Sequence, residues 1–200
     1  MEEKQLPFPT GKQYGIIYAD PPWKYKNNVT RVAAASHYAT MVQEDIAALP
    51  VPEISAEDSA LFLWTTFPML MQAFEIIEAW GFTYRTVAFV WVKLNPRGEG
   101  IFMGLGNWTR SNSEICLFAT RGRPRRIGTK VHSVIISPVE QHSKKPDEAR
   151  RRIEELMGDL PRIELFARTR ASGWDAWGDE VPDEGFCDDS RVSAKQDVAS

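Results

Sequence analysis

The chain predicts an α/β fold built on a mainly parallel sheet, and three observations carry that prediction. Short apolar runs alternate with segments of helical periodicity along most of the 200 residues. The run over residues 60–65 is nearly continuous in apolar side chains and reads as a buried strand. Each apolar run is separated from the next by turn-forming residues or by a helix, the pattern of strand–helix–strand units. In open sheets of this kind, ligands bind beyond the carboxyl ends of the strands.

The elements follow in order. Residues 1–13 are polar and Pro-containing, and read as a loose lead-in. Tyr14-Gly15-Ile16-Ile17-Tyr18-Ala19 is the first strand, and Asp20-Pro21-Pro22-Trp23 closes it. Thr40 with Gln43 three positions on forms a capping-box pattern, which predicts a short helix that Pro50 and Pro52 end. Residues 60–65 read as a buried strand. Pro68 then opens a helix to about Trp80, with apolar residues at 70, 73, 74, 77 and 80 and Gly81 as its stop. A β-rich run spans Thr83 to Val92. Residues 93–113 form a Gly/Asn-rich stretch too long for a plain connector. Glu114–Thr120 and Val131–Ser137 read as further strands. A charged helix follows over Asp147–Met157, opened by Pro146 and stopped by Gly158 and Pro161, and Arg162–Phe166 is the last clear strand. Beyond about residue 181 the chain is acidic and poor in large apolar groups, the composition of a mobile tail. The expected organisation is one domain over 14–180.

Composition narrows the function. The chain is 43% apolar and 26% charged with a net charge of −3, so it is not a bulk basic binder of polyanions, and such contacts need a local patch. Three His and two Cys, Cys116 and Cys187, offer no metal-ligand spacing, and no metal is expected. With no long apolar run and no leader-like start, the chain reads as a cytoplasmic protein without a membrane partner.

Asp20-Pro21-Pro22-Trp23 is the segment richest in chemistry. It brings to a strand end one carboxylate, two residues without a backbone N–H and one large ring. Acceptors beside a stacking surface suit a planar conjugated amine such as that on C6 of adenine. Its lone pair is delocalised into the ring. Asp20 and the Pro21 carbonyl, accepting its hydrogens, would stabilise positive charge as it develops on nitrogen. Trp23, with Tyr25 as a second ring, would stack on the base. From the residues alone, a turn with a buried ring is an equally good reading.

Ala19-Asp20-Pro21-Pro22-Trp23 resembles the catalytic motif of the MT-A70 family of adenine-N6 methyltransferases. Further segments resemble that family in its own order: His37–Met41, Leu61–Trp64, Trp80–Phe82 with Trp91–Lys93, Gly106–Arg110 with Glu114, Ser143–Glu148 and Ile163–Arg168. The resemblance implies a Rossmann-like class I methyltransferase sheet with permuted motif order, catalytic loop first and cofactor strand last. It implies S-adenosylmethionine as cofactor. It assigns Asp20, Pro21, Pro22 and Trp23 to the catalytic loop, and Tyr38 to the neighbourhood of the target base. Asp20, Lys145, Phe166 and Arg168 fall on its cofactor side. Asp179 and Glu180 stand where the family often has an Asn-Gln pair on the cofactor's ribose and adenine, so this chain departs from the pattern there.

Arg121, Arg123, Arg125 and Arg126, with Lys130, are read as phosphate contacts for a nucleic-acid substrate, against the alternative of a solvated loop. Trp64, Trp80 and Trp91 are core by default, while Trp108, in the long loop, is left open. The expected activity is methylation of adenine N6 in nucleic acid, with DNA favoured over RNA. A homodimer or a partner subunit is left open. The alternatives are a protein glutamine-amide methyltransferase, whose related loop usually ends in Tyr, and a catalytically silent binding subunit.

Overall fold

The computed structural model describes residues 8, 11–24, 40–106, 108–140 and 144–181. Among these residues, seven strands form one sheet: β1 (Tyr14–Ala19), β2 (Ser55–Thr65), β3 (Thr83–Leu94), β4 (Ser113–Arg121), β5 (Val134–Pro138), β6 (Arg162–Leu165) and β7 (Asp175–Trp177). Their spatial order is β5-β3-β4-β2-β1-β6-β7. Only β4 runs against its neighbours β2 and β3; every other pairing is parallel. The expected α/β class, with a mainly parallel sheet, is therefore present.

β1 lies between β2 and β6, and all six of its residues are buried, which is why its sequence is a continuous apolar run. Two cores cover the sheet. On one face, α1 (Gln43–Ala47), α2 (Val51–Ile54) and α3 (Leu70–Ala79) pack around Ile17, Leu61, Leu63 and Trp80. The indole N–H of Trp80 donates to the Ile46 carbonyl at 3.0 Å and ties α1 to the end of α3. On the other face, α4 (Asp147–Met157) lays Ala149, Ile153 and Met157 against Tyr18, Phe62 and Trp64. These three recur every four residues, the stripe of a helix with one covered side. Gly158 ends α4 at φ 84°, a conformation that glycine adopts without strain. Trp64, Trp80 and Trp91 are buried core residues, as read.

Three readings are corrected. Thr40 does not cap the first helix. Met41 is instead held extended beside the site loop, its N–H donating to the Pro22 carbonyl at 3.0 Å and its carbonyl accepting from Lys24 N–H at 3.3 Å. The helix therefore starts at Gln43 with Val42 as an N-cap that makes no side-chain bond. Pro50 and Pro52 do not only end that helix: they open α2, Pro50 as N-cap and Pro52 in the first turn. The lead-in is not uniformly loose, because Phe8 is buried against Trp177 with ring centroids 4.9 Å apart. β7 has no counterpart in the reading of the sequence. The acidic segment beyond residue 181 lies outside the described residues. Among those described, no helix is long and apolar enough to cross a membrane.

Candidate active site

Parallel strands β1, β2, β6 and β7 end at one edge of the sheet, and β4, running the other way, begins there. A cavity of about 420 Å³ opens at that edge. It is bounded by Asp20–Trp23 after β1, Thr65 and Thr66 at the end of β2, Glu114 in β4, Lys145 ahead of α4, and the segments that follow β6 and β7.

One wall is charged. Asp20 leaves β1 with its N–H toward the Leu165 carbonyl (3.5 Å), so its position is fixed by the central strands. Lys145 Nζ donates to Asp20 Oδ2 at 2.6 Å and lies 3.2 Å from Glu114 Oε2. Glu114 in turn pairs with Lys93 from β3. The chain Asp20–Lys145–Glu114–Lys93 thus sets two carboxylates against two ammonium groups. Burial, the largest influence on Asp20, pushes its carboxyl above the ordinary aspartate range; Glu114 adds to this and Lys145 opposes it. Burial acts the same way on Glu114, but Lys145 and Lys93 together hold that carboxyl below its usual range. Burial also works against the charge of Lys145, and the two carboxylates more than restore it.

The loop geometry sharpens two of the expected roles. Pro21's carbonyl already accepts from Trp23 N–H at 2.9 Å, so only its second lone pair can meet a ligand. Asp20 is left as the principal acceptor. Trp23 lines the cavity yet is only 8% exposed, and its indole N–H donates to the Trp64 carbonyl at 3.2 Å. Trp64 passes the connection on to the Tyr18 hydroxyl at 2.7 Å. The ring is therefore anchored in the core and has little surface left for a base.

The opposite wall is apolar and aromatic. Phe166 follows β6 at φ 61°, left-handed backbone that costs a non-glycine residue about 1–3 kcal/mol and is found mainly where a site needs it. The turn is held by Ala167 N–H donating to the Trp177 carbonyl at 2.9 Å, and by the Phe166 and Trp177 rings meeting edge to face at 5.4 Å. Gly178 fits against this turn because it lacks a Cβ, which would fall 2.2 Å from the Ala167 carbonyl oxygen. Exposed Asp179 and Glu180 stand at the rim, and Arg168 lines the same side.

The structure thus brings together Asp20, Pro21, Pro22, Trp23, Lys145, Phe166, Arg168, Asp179 and Glu180. Tyr25 and Tyr38 lie outside the described residues. It does not bring Arg121, Arg123, Arg125 and Arg126 to the cavity. Antiparallel β4 carries them away: Ile115 pairs with Thr65 at the cavity edge and Arg121 with Ser59, six residues or about 20 Å further down the sheet. There Arg121 donates to the Pro52 carbonyl (2.8 Å) and the backbone of Arg123 to Asp58 (2.6 Å). Glu114 and Lys93 were not read as site residues. For Glu114 the available signal was a carboxylate opening a buried strand.

A family model described as MT-A70 matches residues 14–180. The chain belongs to the MT-A70 family. The expected enzyme class, an adenine methyltransferase, therefore stands, and the sheet is consistent with the family's Rossmann-like methyltransferase fold. Among curated relatives, the type II methyltransferase M.MunI of a Mycoplasma species is 36% identical, covering 86% of this chain and 79% of its own. An Arabidopsis thaliana protein named N(6)-adenosine-methyltransferase MT-A70-like is 32% identical over 84% of this chain. The human N(6)-adenosine-methyltransferase catalytic subunit METTL3 is 30% identical over 78% of it. The chain spans 24% and 26% of those two eukaryotic proteins.

Proposed function

We propose that this protein transfers a methyl group from S-adenosylmethionine to N6 of adenine in DNA. The observation that carries the reading is the placement of Asp20. It is a half-buried carboxylate with a raised affinity for protons, set in a cavity whose far wall is aromatic. S-adenosylmethionine would supply a methyl group activated by a positively charged sulfur. The cavity is of a size that encloses a small-molecule ligand. Its lining fits that cofactor: Lys145 and Arg168 as donors to a carboxylate, Asp179 and Glu180 as acceptors for ribose hydroxyls, Phe166 and Trp177 as stacking surfaces for a flat base.

Asp20 accepts a hydrogen bond from the adenine amine and favours the geometry in which the nitrogen lone pair leaves the ring. The bond strengthens as the new N–C bond forms at the expense of the S–C bond and nitrogen becomes positive, so it stabilises the transition state more than the bound substrate. S-adenosylhomocysteine would leave as the neutral thioether, and the surplus amine proton would pass by way of Asp20 to solvent. Glu114 and Lys93 hold Lys145 in place while Asp20 turns to the substrate. No residue in the wall is needed as a covalent nucleophile. DNA is favoured by the similarity to M.MunI over most of both chains, against a quarter of the eukaryotic proteins.

Incubation with methyl-labelled S-adenosylmethionine and either DNA or RNA of one sequence, followed by mass spectrometry of the nucleosides, tests this reading. Labelled N6-methyldeoxyadenosine is expected. Label confined to RNA would overturn the substrate, and label on another atom would overturn the chemistry.

A further inference from the structure

The loop joining β3 to β4 carries apolar surface that the cavity does not use. It leaves β3 at Leu94 and re-enters β4 at Ser113, both at the cavity edge of the sheet. Along it Ile101, Met103 and Leu105 are exposed, Leu105 by 80%, and Trp108 is 100% exposed. A wholly solvated indole forfeits the burial that makes Trp useful in a core, so its place calls for something that covers it in the working state.

The loop is built, not slack. Lys93 N–H donates to the Asn112 carbonyl at 2.9 Å, Phe102 N–H to the Lys93 carbonyl at 2.8 Å and Asn95 N–H to the Gly100 carbonyl at 3.1 Å. A Cβ on Gly104 would fall 2.0 Å from the Ser111 carbonyl oxygen, and one on Gly106 would fall 1.9 Å from that of Thr109. The two arms therefore lie flush, an approach that glycine alone permits. The result is a slim finger with Trp108 near its tip, and Arg110 is exposed two residues on.

We propose that Trp108 is a wedge that enters the base stack of a DNA duplex when the target adenine swings into the Asp20 cavity. This rests on the reading of the substrate as adenine in DNA. An adenine stacked in a duplex cannot reach a carboxylate recessed beyond the strand ends, so it must leave the stack. Proteins that open a base step commonly insert an apolar side chain into it, and an aromatic face accepts any neighbouring base. Trp108 is six residues from Glu114 in the cavity wall, a reach of at most about 20 Å, which suits a nucleotide rotating from helix to cavity. Exposed Arg110, two residues on, supplies a cation for a phosphate flanking the opened step.

Steady-state kinetics of the full chain on one target sequence, as duplex and as single strand, test the wedge. Trp108→Ala should lower kcat/KM on the duplex by about tenfold or more, consistent with the cost of unstacking one step. On the single strand it should change it by less than about twofold, and Trp108→Phe should restore most of the duplex rate. Equal losses on both DNAs, no loss on either, or a wild-type enzyme active on the single strand alone would overturn the wedge and leave the substrate reading intact. A wild type inactive on both DNAs would overturn the substrate reading, and the wedge with it. Sedimentation velocity distinguishes the other occupant: a loss that tracks conversion of a dimer to a monomer would assign the finger to a second copy of this chain.

Discussion

The two walls of the cavity are built on different physics. On the β1 side, four charged groups are interlocked by ion pairs. On the β6 and β7 side, a strained turn presents Phe166 and Trp177, backed by Phe8, with polar groups only at the rim. A wall whose charges are held by partners can respond to charge that appears during a reaction. An apolar wall recognises shape and does not change as the reaction proceeds. The contrast divides the work: Asp20 on the charged wall governs the rate, Lys145 beside it meets the cofactor's carboxylate, and the aromatic wall governs the rest of cofactor affinity.

The sharpest way to break this division is Asp20→Asn. It keeps the shape and removes the acceptor charge, so turnover should fall on the order of 10³-fold, the scale of losing one preorganised electrostatic contact. Single-turnover rates under saturating cofactor would show it. Lys145→Met comes next. It strands the Asp20 and Glu114 carboxylates in a buried place, and urea denaturation should show a loss of about 3 kcal/mol. Adding Glu114→Gln should return part of that loss, because the two residues belong to one network. Trp177→Ala acts on the other wall. It should weaken S-adenosylmethionine binding by roughly tenfold to a hundredfold, the scale of one aromatic stacking contact, and leave the saturated rate nearly unchanged.

A smaller effect should appear in the pH profile. Activity needs ionised Asp20, whose carboxyl is raised by burial and by Glu114, so the acid limb of kcat should lie above the ordinary aspartate range. Glu114→Gln removes the like charge and leaves Lys145 to Asp20, and the limb should move to lower pH. Stability follows opposite signs at the two carboxylates. Ionising Asp20 costs stability as pH rises from its unfolded value to its raised folded one. Glu114 contributes stability above its ordinary value, which is lost as pH falls through its depressed folded one. The smallest effect is expected from Arg125→Ser with Arg126→Ser. These residues follow the end of β4 farthest from the cavity, and kcat/KM on a short DNA should change by less than about twofold, the usual scale for solvated charges outside a contact.

What could be read in advance follows the same division. β1 was legible because burial on both faces leaves a continuous apolar run, β6 because apolar residues alternate with charged ones, and α4 because Pro146 and Gly158 bound a helix locally. Asp20 was legible because it ends such a run. The capping box at Thr40 failed because Met41 pairs with the Trp23 strand end, and that tertiary hydrogen bonding outweighed a local signal. β7 was missed because three half-buried residues carry no periodicity. The place of Arg121–Arg126 depends on β4 running against its neighbours, a fact of topology that a charge run does not encode. Glu114 joins Lys93 and Lys145 only once three strands and the start of α4 converge, so its partners were invisible in the sequence.

The division of the two walls is tested most directly by one titration. Calorimetry of S-adenosylmethionine with Asp20→Asn should give a dissociation constant within about tenfold of the wild type, at a turnover reduced by orders of magnitude. Loss of binding in step with loss of turnover would contradict the account, because Asp20 would then hold the cofactor as well.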